Sequence, residues 1–236
     1  MTELQIALSY ALLAGVTIPI GGLLARREQV LPFWLDYEIR HTVLAFGGGV
    51  LLAAISLVLV PQGMEALSTG GTLLAFGAGA LCFFYADMVI ARHGGAAAQL
   101  MAMLLDYVPE SLALGALIAT HQSKGLLLAL LIGLQNLPES FNAYRELTKD
   151  ARLPSRTVLS AFTWLVVLGP LAAGVGYILQ DATELIGAVM LFAAGGILYL
   201  TFQDIAPQAH LQRAWGPPLG AVGGFMLGLW GHGLLG

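Results

Sequence analysis

The sequence predicts an all-α membrane protein, a single domain formed by a bundle of eight transmembrane helices with both termini outside. The 236-residue chain is 58% hydrophobic and only 10% charged, with a mean hydropathy of +0.81. A soluble domain is nearer half apolar and a quarter charged. In addition, the apolar runs are long enough to cross a bilayer, and the basic residues alternate along the chain. These three observations carry the prediction.

A helix needs about 20 apolar residues to cross a bilayer. Eight such runs occur, at about 4–25, 41–61, 71–91, 97–119, 124–147, 157–179, 184–206 and 216–236. The breaks between them, such as "STGG" and "WGPP", carry turn residues and are too short for a second domain. Only helices and closed barrels satisfy their backbone in lipid, and barrel strands are about 10 residues long. The runs are therefore helices, and residues 1–236 form one transmembrane domain.

The basic residues support this count. Most of them lie in the odd-numbered connections: Arg26, Arg27, Arg40, Arg92, Arg145, Lys149, Arg152, Arg156 and Arg213. The even-numbered connections hold only Lys124. Adding or removing one helix would scramble that alternation. Because basic loops remain cytoplasmic, we expect both termini outside and a multi-pass protein of the inner (cytoplasmic) membrane.

Several classes of function are disfavoured. The net charge of −4 argues against a nucleic-acid partner. The single cysteine, Cys82, excludes an intramolecular disulfide and a cysteine-built zinc site. No "HExxH" motif is present, and Asp87 has no second acidic motif with which it could form an intramembrane aspartyl protease. We therefore expect the lipid bilayer as a partner and no enzymatic activity.

Three acidic residues, Asp106, Glu110 and Glu139, fall well inside the predicted helices. A charged residue at the centre of a membrane helix costs at least ~2.5 kcal/mol and usually faces a cavity or a partner. Asp106 and Glu110 share one face of the fourth helix, and Gln135 and Glu139 repeat this spacing on the fifth, beside Asn136. No lysine or arginine lies at the same depth. Crowded carboxylates would resist ionising unless a cation lies between them.

Each of these pairs lies in a matching motif, "DYVPES" at Asp106–Ser111 and "QNLPES" at Gln135–Ser140. The proline of each motif has no N–H, so Pro109 and Pro138 each leave a helical carbonyl without its usual partner. One such motif has a structural explanation, namely a kink and a protonated glutamate. Two on consecutive helices favour an oxygen-rich site for a divalent cation. The predicted metal ligands are Asp106, Glu110, Gln135, Glu139 and Asn136.

The two motifs resemble those of the ZRT/IRT-like (ZIP) divalent metal transporters. The fourth helix of that family carries His-Asn-x-Pro-Glu-Gly, and the fifth carries a related Pro-Glu motif that begins with glutamine in some bacterial members. The resemblance extends to "ALLAGVTIPIGGLLA" in the first helix, "LAFGGGVLLAAISLVLVPQG" in the second and "AAGGILYLTFQDIAPQAH" in the seventh. It covers nearly the whole chain, including the arrangement of eight helices with both ends outside.

The sequence also departs from the family pattern. Asp106 replaces a histidine, Tyr107 an asparagine, Ser111 and Ser140 motif glycines, Leu51 a methionine, and Gly169 a glutamate of a second metal position. The primary site is retained, whereas the second retains mainly Asn136. The five histidines, His41, His93, His121, His210 and His232, fall near helix ends and are expected to be structural or solvated. His121 is the best of them as a contact at the external mouth.

The resemblance implies transport of divalent cations, zinc or a related metal such as manganese, iron or cadmium, through a site between the fourth and fifth helices. The ion is the substrate, and no cofactor is expected. The resemblance also implies movement of one helix block against another and, as is common in the family, a homodimer. Two alternatives remain: a transport-inactive metal-binding protein acting as a sensor or structural subunit, and an intramembrane enzyme using the carboxylates as acid and base.

Overall fold

Eight helices follow one another in the computed structural model, which describes residues 1–27, 33–93, 96–149, 153–210 and 214–235. They are α1 (Glu3–Arg27), α2 (Phe33–Ala54, a π-helical turn at Ile55–Leu59, and Val60–Ala66), α3 (Thr69–His93), α4 (Ala96–Thr120), α5 (Gln122–Lys149), α6 (Ser155–Ile178), α7 (Thr183–Leu200, a π-helical turn at Thr201–Ile205, and Ala206–Ala209) and α8 (Gly216–Leu235). These residues contain no strand. The predicted all-α class and the number of helices are confirmed.

Two helices differ most from their predicted bounds. α2 begins at Phe33 and ends at Ala66, whereas its apolar run was expected to span 41–61. Its first turns carry Glu38 and Arg40, so the helix extends beyond the apolar stretch at one end, and at the other it continues past Pro61. α7 likewise continues past Pro207 to Ala209. An apolar run marks the part of a helix that crosses lipid, and the helix itself can extend further.

In both helices a π-helical turn directly precedes the proline and lets the helix continue beyond it. In α2 the Val60 N–H bonds to the carbonyl of Ile55, and in α7 the Ala206 N–H bonds to the carbonyl of Thr201. Each is an i→i+5 bond of a π-helical turn, and each is followed directly by a proline, Pro61 or Pro207. A π turn widens the helix at the point where a proline cannot donate. Neither proline therefore ends its helix.

The helices form two groups. Group A contains α1, α4, α5 and α6, in which α1 packs on α5 and α6, and α4 on α5 and α6. Group B contains α2, α3, α7 and α8, in which α2 packs on α8 and α7, and α3 on α7. The groups meet where α2 and α8 contact α5 and where α4 contacts α7. α5 therefore lies at the centre, in contact with α1, α2, α4, α6 and α8.

Seven of the eight helices are long and apolar enough to cross a membrane, and α5 is the exception. Large apolar side chains on the outer helices are exposed, among them Leu74 of α3, Trp164 of α6 and Ile178 of α6. Such a surface suits lipid and would be a liability in water. α5 has 28 residues, enough to cross, but it carries amides and charges through its middle. Its central position removes those groups from lipid, and that it crosses the membrane remains a prediction.

Hydrogen bonds show which helix ends lie together. Arg40, near the start of α2, bonds to Asn142, near the end of α5, and Asn142 bonds to Gln208 at the end of α7. The Tyr144 hydroxyl of α5 donates to Ser155 at the start of α6, over 2.7 Å. We call this end of the bundle, where α1, α3, α5 and α7 finish, the basic end. Of the basic residues predicted to share one side, Arg152 and Arg213 lie outside the described residues.

Reciprocal glycine contacts hold three helix pairs together. A methyl group on Gly115 of α4 would overlap the backbone carbonyl of Ala173 in α6, and one on Gly176 of α6 would overlap the carbonyl of Leu112 in α4. The same reciprocity joins α2 to α8 and α3 to α7, through Gly49, Gly224, Gly79 and Gly195. Close backbone approach is how small residues pack membrane helices. The abundance of glycine is therefore explained by packing.

We expect Gly176→Ala to destabilise the folded protein by about 1–3 kcal/mol, the usual range for overpacking a tight contact. The added methyl group has only the backbone of α4 to meet, and a backbone cannot rotate away as a side chain can. Thermal unfolding of the purified protein in detergent measures the effect. Gly77→Ala in α3 is the matched control, because nothing lies within 4 Å of a Cβ added there. Equal stability of the two variants would contradict the packing explanation.

Candidate functional site

α4 and α5 pack against each other and bring the two proline motifs together at the centre of the bundle. Asp106 and Glu110 of α4 are 5% and 0% exposed, and Gln135 and Asn136 of α5 are 1% and 2% exposed. Glu139 is only partly buried. The helical spacing of the sequence thus translates into a cluster of acidic and amide side chains inside an apolar protein.

The closest contact across the two helices joins Gln135 to Glu110. The Gln135 Nε2 donates to Glu110 Oε2 over 2.5 Å. The other carboxyl oxygen of Glu110, Oε1, and the single amide oxygen of Gln135, Oε1, are both buried and have no hydrogen-bond donor among the described residues. A buried oxygen without a donor costs about 1–3 kcal/mol. Two such oxygens on one bonded pair are acceptors that a cation or a water molecule can use.

Asp106 and Glu139 form the second pair of the cluster. Their carboxyl groups are close enough to interact electrostatically. Asp106 Oδ1 also accepts the backbone N–H of Tyr107 over 2.7 Å. Among the described residues, no lysine, arginine or histidine reaches salt-bridge distance of Asp106, Glu110 or Glu139. Two carboxylates this close repel each other, and a cation bound between them would relieve that repulsion.

The three carboxyl groups do not form a ready-made cage. Within the described ranges, no three histidine, cysteine, aspartate or glutamate side chains are grouped so that they could hold a metal ion. Glu110 is instead bonded to Gln135, while Asp106 lies near Glu139. An ion bound here would take carboxylate and amide oxygens from both helices.

Asn136 is turned toward α1. Its Nδ2 donates to the backbone carbonyl of Ala14 over 3.4 Å. This bond fixes the amide nitrogen at the interface of α1 and α5. The structure thus brings Asp106, Glu110, Gln135 and Glu139 together and places Asn136 at the edge of that group. That any of the five binds a metal remains a prediction.

The tyrosine of the first motif fills the space on the other side of α4. Tyr107 is 1% exposed, and its hydroxyl lies against Gly15 of α1 and Gly169 of α6, where a methyl group on either glycine would overlap it. The hydroxyl also donates to the Ala11 carbonyl, at 3.5 Å. Gly169 stands where the ZIP pattern has a glutamate of a second metal position. In this protein the Tyr107 hydroxyl lies beside that position.

Leu51 of α2 belongs to the face that meets the site. A Cβ on Gly47, one turn earlier, would lie 2.8 Å from the Pro138 ring and 3.9 Å from the Gln135 carbonyl oxygen. Residues four apart share a helix face, so Leu51 lies on the α2 face that packs against α5. Leu51 is itself buried, with 3% exposure. The resemblance alone suggested this placement, and the packing of Gly47 supports it.

None of the histidines with a described side chain belongs to the carboxylate cluster. His121 is exposed and lines a cavity of about 400 Å³ at the end of the bundle opposite the basic end. Other lining residues are Gln62, Glu65, Thr120, Glu184 and Met190. His41 is buried in α2, and His210 is exposed at the end of α7. The side chain of His93 lies outside the described ones.

Asn142, which sequence reasoning did not single out, continues the polar face of α5 toward the basic end. It follows Gln135 by seven residues and Glu139 by three, so the three side chains share one helix face. The spacing was therefore visible in the sequence. An asparagine near a helix end is commonly a solvated residue, however, and only the structure shows that Asn142 is buried, with 5% exposure.

Asp87 and Asp204 also lie toward the basic end. The Tyr199 hydroxyl of α7 donates to Asp87 Oδ2 of α3 over 3.0 Å. Asp204 belongs to the π-helical turn of α7 and is close enough to Glu139 for their charges to interact. A π turn often marks a functional position in a helix. The structure therefore brings one acid of α7 near the cluster of α4 and α5.

Comparison of the sequence with protein-family models finds no matching family, and comparison with curated proteins finds no similar one. The function must therefore be argued from the site itself.

We expect Gly169→Ala to destabilise the protein by about 1–3 kcal/mol, because its methyl group would overlap the Tyr107 hydroxyl. Tyr107→Leu opens that space, so the double variant should recover part of the loss. Thermal unfolding of the parent, both single variants and the double variant gives the coupling energy between the two positions. Strictly additive effects would show that Tyr107 and Gly169 do not compete for one space.

Proposed function

We propose that the protein is a divalent metal transporter of the ZIP type, which moves zinc or a related cation across the cytoplasmic membrane. The observation that carries the proposal is the pair of buried oxygens, Glu110 Oε1 and Gln135 Oε1, that have no donor in the described structure. Carboxylate and amide oxygens are the ligands of hard divalent cations. The nearby Asp106 and Glu139 supply the negative charge that an entering cation needs.

The position of this cluster supports a role in transport over a purely structural role. Pro109 and Pro138 interrupt the hydrogen bonding of α4 and α5, so backbone carbonyls beside the carboxyl groups lack their helical donors. Interrupted helices around a central site are a common feature of transporters. The site also lies where group A meets group B, since α2 packs on Pro138 and Gln135 through Gly47. Movement of one group against the other would change the site directly.

The ZIP resemblance supports the same function. Four parts of the proposal rest on this resemblance: the family, the location in the cytoplasmic membrane, the placement of both termini outside, and assembly as a homodimer. The cation is the transported substrate, and the four residues Asp106, Glu110, Gln135 and Glu139 exchange with its water ligands. Asn136 completes the set at the edge of the site.

A second candidate is a transport-inactive metal-binding protein of the same type. The position of the Tyr107 hydroxyl beside Gly169 favours it, because that space is closed to a second ion. The two candidates differ in flux. Both bind metal at the carboxyl groups, but only the transporter moves it across a sealed membrane.

We expect Glu110→Gln and Glu139→Gln each to lower divalent cation uptake into proteoliposomes by about tenfold or more, since even a lost partner of a metal ligand lowers affinity 10–100-fold. Each change removes one negative charge and keeps the shape of the side chain. Glu3→Gln, in the exposed first turn of α1, is the control.

Uptake at the parental rate in both well-folded site variants would place the transport site elsewhere. Binding that depends on Glu110, without uptake by the parent, would establish the transport-inactive candidate instead.

The ligand set also predicts metal preference. With Asp106 for histidine and Leu51 for methionine, the site offers oxygens and lacks imidazole and thioether, which suit zinc and cadmium. The double change Asp106→His and Leu51→Met should raise cadmium affinity relative to manganese on the order of tenfold. Competition binding on purified protein measures the ratio.

The control for this test pairs Asp106→His with Leu44→Met. Leu44 is also a buried leucine of α2, but it packs with Ala45 and Ala209 in a separate cluster. A cadmium-to-manganese ratio that both double variants share would show that Leu51 does not face the ion.

A further inference from the structure

A polar network centred on Asn142 lies next to the carboxylate cluster on its basic-end side. Asn142 Oδ1 accepts bonds from Arg40 Nε at 3.1 Å and from Arg40 Nη2 at 2.7 Å. Its Nδ2 donates to Glu146 Oε1 at 2.8 Å and to Gln208 Oε1 at 3.0 Å. The buried side chain of Asn142 therefore makes four hydrogen bonds, with both lone pairs of its oxygen and both hydrogens of its nitrogen.

The network joins the two helix groups. Asn142 belongs to α5 of group A, whereas Arg40 belongs to α2 and Gln208 to α7 of group B. Asn142 follows Glu139 by three residues, a rise of about 4.5 Å along the helix axis. An ion that leaves the cluster toward the basic end along this face of α5 therefore meets Asn142 and the guanidinium of Arg40 first.

The opposite end of the bundle is built differently. There the groups are joined by an exposed ion pair, Lys124 Nζ to Glu65 Oε1, at 3.9 Å. Such a pair contributes little in water. The cavity of about 400 Å³ opens beside it, between α2, α4 and α7. Its lining reaches Ala116 of α4, six residues or about 9 Å of helix from Glu110.

We infer that Arg40, Asn142 and Gln208 form a gate that closes the ion path between the carboxylate cluster and the basic end. This inference rests on the proposed function. The bonded side chains of Arg40, Asn142 and Gln208 close the path sterically until group A and group B separate. Release of the ion toward the basic end requires the bonds of Asn142 to Arg40 and Gln208 to break. The described structure is therefore the state closed at the basic end.

Side-specific labelling of one cysteine tests the gate without metal or transport. Cys82 is replaced by serine, and Glu139→Cys places the reporter at the cluster. A membrane-impermeant cationic thiol reagent is then applied to proteoliposomes from each side separately. Asn142→Leu removes the centre of the network at similar size. It should raise the labelling rate from the basic-end side by about tenfold or more, as expected when bonds to a charged partner no longer favour the closed state.

Two further variants complete the test. Arg40→Met breaks the network from α2 and should act in the same direction, which covers a failure of Asn142→Leu to fold. Lys124→Gln breaks the ion pair at the opposite end and should leave labelling from the basic-end side unchanged. An unchanged rate in both gate variants, or an equal rise from both sides, would overturn the gate.

The labelling and uptake measurements together distinguish the gate from the proposed transport function. Faster one-sided labelling, together with no metal uptake by the parent protein that retains Glu139, would keep the gate and remove the transport function. Uptake that depends on Glu110, together with labelling that is insensitive to Asn142 and Arg40, would keep transport and remove the gate.

Discussion

The burial of acidic groups without a basic partner is the constraint on which the rest of this structure depends. Asp106 and Glu110 lie inside an apolar bundle, and no cationic side chain of the described residues reaches salt-bridge distance of them or of Glu139. If these groups served only to join α4 to α5, well-packed apolar side chains would do so at a lower free-energy cost. The arrangement is favourable once a cation shares the space, because the ion neutralises the carboxylates and occupies the orphaned oxygens.

The surrounding fold shields these polar groups from lipid. α5 carries the most polar sequence of the eight helices, and it lies at the centre, covered by five neighbours. Glycine contacts bring α6 against α4 and α1 against α5, while α4 and α5 pack against each other. Group B closes one flank through Gly47 of α2. The same packing that shields the carboxyl groups from lipid places them at the boundary between the two groups.

Much of the fold could be predicted because lipid imposes simple rules. The length of the apolar runs and the alternation of basic residues were sufficient for eight helices. The i, i+4 spacing was sufficient to place Asp106 with Glu110 on one face of α4 and Gln135 with Glu139 on one face of α5. Pairings across helices could not be predicted, because they depend on helix rotation. The sequence alone could not show that Gln135 bonds to Glu110, that Asn136 turns to Ala14, or that the Tyr107 hydroxyl lies against Gly169. The π turns before Pro61 and Pro207 could not be predicted either, because a count of apolar residues carries no information on the hydrogen-bond pattern of a helix.

In the proposed function, one divalent cation binds between α4 and α5 at the carboxyl groups. Crystals grown with manganese or cadmium, measured at a wavelength where the metal scatters anomalously, test it most directly. The proposal predicts an anomalous peak within about 2.0–2.6 Å of Glu110 Oε1 and Gln135 Oε1, with Asp106 or Glu139 completing the ligands. The peak should be lost in Glu110→Gln. Saturating metal without a peak in this cluster, or with peaks only at exposed groups such as His121, would contradict it.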